Sequence, residues 1–352
     1  MKTLALLVML SVVCASLGAE PSTARLAVTA PSAPLPQRLS ETGLYVADSM
    51  RVRGANIAFA PQYPLWSDGT GKRRWIYLPP GAAIDASKVD AWEFPVGTRL
   101  WKEFGYDRRV ETRYIERLAD GSWRFAAYVW NTEGTDAVLA PEDGAALSVS
   151  PAPGGRYVVP SRNDCLACHE GPSVPVLGFS ALQLSTDRDP MAPHAGPARS
   201  DHASLSNLAA SGRLRNLPQR FIEQPPRIVA ASPTARAALG YLHGNCGHCH
   251  NDAGALTGLE LVLAQQAENA AQSAERTMQS LLGHSSRFRP QGADTAQRVA
   301  REGGTHMLTL RMKTNNTLAR MPPLGVQQID AEGVALIERW INQDLSTTRR
   351  LP

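Results

Sequence analysis

The sequence predicts an α+β, multidomain chain, in which an N-terminal all-β, sandwich-like domain is followed by a mainly α-helical region. Three observations predict it. Short aromatic and β-branched runs separated by turn residues fill positions 42 to about 140. A stretch dense in Pro and Gly, "SPAPGGRYVVPSR" at 150–162, reads as a linker. Beyond it, apolar residues recur at helical spacing, as in "SPTARAALGYLHGN" and "DAEGVALIERWINQ".

Taken in order, the chain begins "MKTLALLVMLSVVCASLGAE", with one early lysine, an apolar run too short for a comfortable membrane span, and small residues at its end. This predicts a cleaved secretory signal over residues 1–19. The alternative of a lipoprotein built on Cys14 is disfavoured by Val13, which is bulkier than the residue that normally precedes a lipidated cysteine. No other stretch is apolar enough to cross a bilayer. Residues 20–40, rich in Pro, Ala and Ser without periodicity, read as a flexible leader.

The β domain is assigned to 41–150. Its clearest hairpin joins "RVETRYIERL" to "SWRFAAYVW" through Asp120-Gly121, and Trp123, Phe125, Ala127 and Val129 alternate with Arg124, Ala126, Tyr128 and Trp130. Six of the seven tryptophans fall between 66 and 130 and are expected to fill a sandwich core rather than to form a ligand platform. Glu103, Asp107 and Glu111 are expected on a solvated sheet face. Two helical segments are assigned to 151–231 and 232–346. In the second, Ser232 caps a helix with Pro233 at its first position, "LAQQAENAAQSAERTMQSLLG" stops at Gly283, and Asp330 caps a last helix that buries Val334, Ile337 and Ile341.

Removing Lys2 with the signal lowers the formal net charge from +4 to +3, which argues for neither nucleic acid nor an anionic membrane as partner. Lys313 is the only lysine in the second half, so a lysine-ringed docking face is excluded. All eight histidines lie at or beyond 169, and residues 20–164 contain no cysteine, which argues against a copper or zinc site in the β domain.

Once Cys14 leaves with the signal, four cysteines remain, and all lie in two C-x-x-C-H units: Cys165, Cys168 and His169, then Cys246, Cys249 and His250. Two thiols one helical turn apart can each add to a vinyl group of one porphyrin while the next residue's imidazole reaches the iron. A shared zinc site, a thioredoxin-like redox pair and a disulfide are the alternatives. In a shared zinc site the adjacent histidine is redundant, and a thioredoxin-like pair has no need of it. Two complete units behind a secretory signal, with no spare cysteine, predict two covalently attached haem c groups, with His169 and His250 as iron ligands.

Met321, in "NTLARMPPLG", sits in a loop stiffened by two prolines and is the expected second ligand opposite His250, with Met307 and Met312 in reserve. For the first unit Met191, His194, His202 and His243 all remain open. His243 and His248 lie too close in sequence to reach round the second haem, though His243 could face the first.

The order helix, C-x-x-C-H, Met-Pro loop, helix resembles a class I cytochrome c domain over about 232–346. The whole mature chain also resembles a bacterial family of secreted "cytochrome c domain-containing" proteins. That resemblance runs through "YPLWSDGTGKRRWIYLPPG", "FPVGTRLWKEF", "VETRYIERL", "CLACHEG", "LGFSALQL", "YLHGNCGHCH" and "RMPPLG". It implies haem binding and export.

The expectation is therefore an exported dihaem c-type cytochrome that transfers single electrons between redox donor and acceptor proteins, in the periplasm or at the cell surface. Two rivals stand beside it: a dihaem peroxidase-type enzyme with an open first haem, and a binding module in which the β domain holds a ligand while the haems deliver electrons.

Overall fold

The computed structural model describes residues 33–345 apart from 151, 173, 198, 283, 291–297 and 301–305. The expected signal segment, most of the expected leader and the boundary at 346 lie outside the described residues. The strands are β1 (Ile57–Ala58), β2 (Gly71–Tyr77), β3 (Ile84–Asp85), β4 (Arg99–Gly105), β5 (Arg109–Arg117), β6 (Trp123–Trp130), β7 (Ala137–Leu139), β8 (Ala145–Ser148), β9 (Arg156–Val159) and β10 (Leu214–Arg215). Six of them form one antiparallel sheet in the order β1-β2-β4-β5-β6-β7, while β8 pairs with β9 and β10 runs parallel to β3. No helix among the described residues is long and apolar enough to cross a membrane.

The β5–β6 hairpin forms where the sequence places it. Gly121 takes a φ of +83°, which suits a residue without a Cβ, and the Asp120 carboxylate accepts hydrogen bonds from the Ser122 amide at 2.8 Å and its hydroxyl at 2.7 Å. Strand alternation then divides the side chains. Trp75, Trp101, Tyr114, Tyr128 and Trp130 form a cluster on one face with Leu39, Leu44 and Tyr45. On the other face Ile76 and Leu100 join Phe179, Leu184, Leu239 and Trp340, and Phe104 and Ala127 join Tyr157 and Val159.

This arrangement corrects three expectations. Among the described residues no second large sheet completes a sandwich: residues 35–45 cover one face and the helical region covers the other. Alternation reports that a face is buried, not what buries it. The leader also ends earlier than residue 40, since Leu39 is fully buried, the Gln37 carbonyl accepts from the Leu139 amide at 2.9 Å, and Tyr128 Oη donates to the Pro36 carbonyl at 2.9 Å. This segment shows no periodicity because its order comes from tertiary contacts and from a single 3-10 turn at Leu39–Thr42, too short to leave a repeating pattern.

Finally, Glu103 and Glu111 are buried, not solvated. Glu103 is paired with Arg73 and Arg109, and Glu111 with Arg113. Asp107 is exposed, as expected.

The helices are α1 (Arg162–His169), α2 (Leu205–Ala210), α3 (Arg220–Glu223), α4 (Pro233–Asn245), α5 (Ala270–Leu281), α6 (Met307–Met312) and α7 (Ala331–Arg339). The caps on α4 and α7 are those the sequence announces: Ser232 Oγ accepts from the Ala235 amide at 3.0 Å, and the Asp330 carboxylate from the Gly333 amide at 3.0 Å. The α5 helix starts later than its alanine-rich sequence suggests. Residues 263–267 commit their amides elsewhere: Leu263 to the His250 carbonyl, Gln265 to His243 Nδ1, and Ala267 to the Asp90 carboxylate.

One apolar cluster runs through all three assigned segments, from Ile76 through Phe179 to Trp340, and the described residues form one compact unit. The expected divisions at 150 and 231 therefore do not separate independent cores. They mark changes in composition within a shared one.

Candidate functional site

β9 leads through Ser161 into α1, which carries the first C-x-x-C-H unit. Ser161 and Asp164 cap each other: the Ser161 amide donates to the Asp164 carboxylate at 2.9 Å, and the Asp164 amide donates to Ser161 Oγ at 3.1 Å. This fixes the start of the helix, so that Cys165, Cys168 and His169, three and four residues apart, share one side of it. The His169 ring packs against Phe125 of β6, with centroids 4.9 Å apart, and its Nδ1 donates to the Pro175 carbonyl at 2.5 Å. Burial pushes the His169 pKa down to about 4, so the ring is neutral and Nε2 keeps its lone pair. Burial likewise pushes the Cys165 thiol up to about 11.

The second unit continues from α4. The Cys246 amide donates to the Leu242 carbonyl at 2.8 Å, and the Cys246 carbonyl accepts from Cys249 at 3.1 Å and His250 at 2.9 Å, closing a further turn. Asn251 stabilises that turn from both ends. Its Nδ2 donates to the carbonyls of Gly247 and His248, each at 3.0 Å, and its Oδ1 accepts from Ala253 at 2.9 Å and Gly254 at 2.8 Å. Burial raises the Cys246 thiol to about 12 and lowers His250, whose Nδ1 is buried without a hydrogen-bond partner.

The two units, 81 positions apart in sequence, touch. Cys249 Sγ donates to the Ala167 carbonyl at 3.8 Å, and the closeness of the Cys168 and Cys249 thiols, with burial, raises the Cys168 pKa to about 12 while lowering that of Cys249. Glycine makes this approach possible. A Cβ on Gly171 would lie 2.7 Å from the His248 carbonyl oxygen, and one on Gly254 would lie 2.9 Å from the Gly171 carbonyl oxygen.

A cavity of about 420 Å³ opens between α1, the helix-covered face of the sheet and the turn that follows α4. Cys165, Cys168 and His169 line it together with Ile115, Phe125 and Phe179. His243 lines it too. Its Nδ1 accepts from the Gln265 amide at 3.0 Å, and burial pushes its pKa down to about 4.

The other candidates for the first unit lie elsewhere: Met191, His194 and His202 do not line this cavity. His194 is held by Asp330, with Nε2 2.9 Å from each carboxylate oxygen, and stacks on Trp66 with centroids 4.7 Å apart.

Met321 is half-buried and borders a small pocket of about 30 Å³ that Met312 also lines. Its amide donates to the Arg311 carbonyl at 3.0 Å, and the Arg311 charge is also felt by His250, so both candidate ligands adjoin Arg311. Met307 and Met312 are buried in α6.

Sequence reasoning missed Arg74, Lys102 and Arg113, which also line the large cavity. No single segment carries their signal, which lies in the register between strands. Among the described residues no group of three or more His, Cys, Asp and Glu side chains is arranged to hold a metal ion by itself. No protein-family model matches this chain, and neither a curated protein nor a solved structure is similar to it.

Proposed function

We propose that this chain is an exported c-type cytochrome that carries two covalently attached haem groups and passes single electrons between redox partners in the periplasm or at the cell surface. The observation that carries the reading is the first unit. Cys165, Cys168 and His169 share one side of α1 against a cavity with aromatic and aliphatic walls, and the Pro175 carbonyl holds the His169 tautomer that leaves Nε2 free to ligate.

The residues of the first unit fit the group, since the cavity lies beside them. Cys165 and Cys168 would attach one haem and His169 hold its iron; Cys246 and Cys249 would attach the other, with His250 and Met321 as its iron ligands. Haem c supplies a one-electron couple, and thioether ligation raises its potential. The contact between Cys168 and Cys249 makes the two attachment points neighbours, which favours exchange between the groups.

Over 232–346, α4 and α7 pack together, with the Tyr241 hydroxyl donating to Asp330 at 3.0 Å, in keeping with a class I cytochrome c-like region.

Intact mass of the protein produced with haem-attachment machinery tests the stoichiometry. Two haems are expected, and one in the Cys165→Ala/Cys168→Ala variant; a single haem on the unaltered chain would remove the first unit from the reading. At the second site Met321→Ala should abolish the near-infrared sulfur-to-iron band of the oxidised protein and lower one potential. A band that persists reassigns the ligand to Met307 or Met312.

His243 favours a second reading, the peroxidase-type enzyme. Because its Nδ1 accepts the Gln265 amide proton, the neutral ring carries its own proton on Nε2 and in this arrangement is a hydrogen-bond donor at the cavity wall. Such a donor could orient a peroxide brought to the cavity, which is the role this reading would give it.

A further inference from the structure

Three cations stand side by side on the floor of the large cavity. The sheet register sets Arg74 of β2 directly opposite Lys102 of β4, and Lys102 directly opposite Arg113 of β5. Strand alternation puts them on the face that carries Ile76, Leu100 and Phe104. Like charges directly opposite one another repel, and removal from water sharpens the cost.

Compensation inside the chain is partial. Arg113 donates to the buried Glu111 carboxylate at 2.8 and 3.2 Å, and Tyr157 Oη donates to the same carboxylate at 2.5 Å. Among the described residues Arg74 and Lys102 have no ion pair. Burial lowers Arg74 to about 10, and burial with the neighbouring Arg74 and Arg113 charges lowers Lys102 well below its ordinary value.

Carboxylates on the cavity wall are occupied elsewhere. Asp164 caps α1 through Ser161, Asp68 accepts from the Gln327 and Gln328 amides at 2.8 to 3.0 Å, and Asp90 accepts from those of Ala267 and Glu268 at 2.7 and 3.0 Å. The walls above the cations are apolar, with Ile115, Phe125, Trp92 and Phe179. A ligand that suits this space has an apolar body and anionic ends, and the guanidinium fork matches a carboxylate.

We propose that Arg74, Lys102 and Arg113 form a carboxylate-binding site on the cavity floor, which takes either the carboxylates of a porphyrin attached at Cys165 and Cys168 or those of a free aliphatic dicarboxylate. The first source rests on the haem reading above; the second does not.

The test uses the full mature chain produced with haem-attachment machinery, as the unaltered protein and as Arg74→Gln, Lys102→Met and the charge-keeping Lys102→Arg, with Lys88→Gln on the exposed surface as control. Intact mass first reports haem content, which judges the haem reading separately. Adipate binding is then measured by calorimetry, and the reduction potential of each haem by spectroelectrochemistry.

A free dicarboxylate site gives adipate binding that weakens at least tenfold in Arg74→Gln and Lys102→Met and is retained in Lys102→Arg and Lys88→Gln. A porphyrin carboxylate site gives no adipate binding, but a lowered potential at one haem in the same two variants, restored in Lys102→Arg. The proposal is overturned if adipate does not bind and neither potential moves. Should the chain carry no haem, adipate binding alone decides. Because each of the two variants removes a repelling charge, a melting curve that shows them folded is the expected control.

Discussion

His243 is the residue whose ring nitrogens carry the most information about the cavity. Its Nδ1 is occupied by the Gln265 amide, so the ring is fixed neutral with its proton on Nε2, and burial holds its pKa near 4 against an ordinary 6.5. The sign follows from linkage. Below pH 6.5 the unfolded chain takes up a proton that the folded chain refuses until about pH 4, so this contribution is full above 6.5 and is lost as the pH falls toward 4. A shift of that size amounts to at most about 3 kcal/mol. In the haem-free chain with all four motif cysteines changed to alanine, urea midpoints should fall between pH 7 and pH 4.5. They should fall less in the same background carrying His243→Gln, whose amide oxygen can still accept the Gln265 amide. Equal slopes would show that His243 does not titrate as its burial requires.

At the scale of elements, the two C-x-x-C-H turns are joined by glycines. Gly171 follows α1 and faces the turn after α4, where any Cβ would press on the His248 carbonyl, which is backbone and cannot swing aside. Gly171→Ala should therefore cost about 1–3 kcal/mol, read as a lowered melting temperature, with haem content equal to that of the unaltered protein. Gly258→Ala, with no atom within 4 Å of the added Cβ, should leave the melting temperature unchanged. An unshifted Gly171→Ala would mean that the two turns can separate freely. Both turns were legible in the sequence because each motif is local, as were the Asp120-Gly121 hairpin and the capped starts of α4 and α7. Their contact was not, since it depends on Gly171 and Gly254 meeting across the chain. Nor was the late start of α5, where tertiary acceptors at His243, His250 and Asp90 outweigh alanine's helix preference.

Across the whole molecule, the face of the sheet that carries Ile76 and Leu100 and the helices that carry Leu239 and Trp340 bury a common core, so the cavity belongs to the strands as much as to the C-x-x-C-H units. Spacing alone picks out the two C-x-x-C-H units, one on α1 and one in the turn after α4, but it could not reveal the opposite wall, because Arg74, Lys102 and Arg113 become neighbours only through strand register. That joint wall also frames the choice between carrier and enzyme. Among the described residues the histidines that line the cavity are His169, His243 and His248; His248 lies near Cys168, and His243 presents its Nε2 proton. For a carrier, His243 must turn over its proton assignment and close the site, so that carbon monoxide binds slowly or not at all to the reduced protein and peroxide turnover does not exceed that of free haem. For an enzyme, one equivalent of haem binds carbon monoxide rapidly, the half-reduced protein sustains peroxide reduction, and His243→Leu suppresses turnover while leaving carbon monoxide binding intact, because a hydrogen-bond donor is lost and no ligand is. The carrier outcome is the one expected here. It makes a further demand on the geometry: breaking the Gln265–His243 hydrogen bond should be visible as a shift of the Gln265 amide resonance between the haem-free and diamagnetic reduced haem-loaded proteins, and an unmoved amide together with rapid carbon monoxide binding would assign the first site to catalysis.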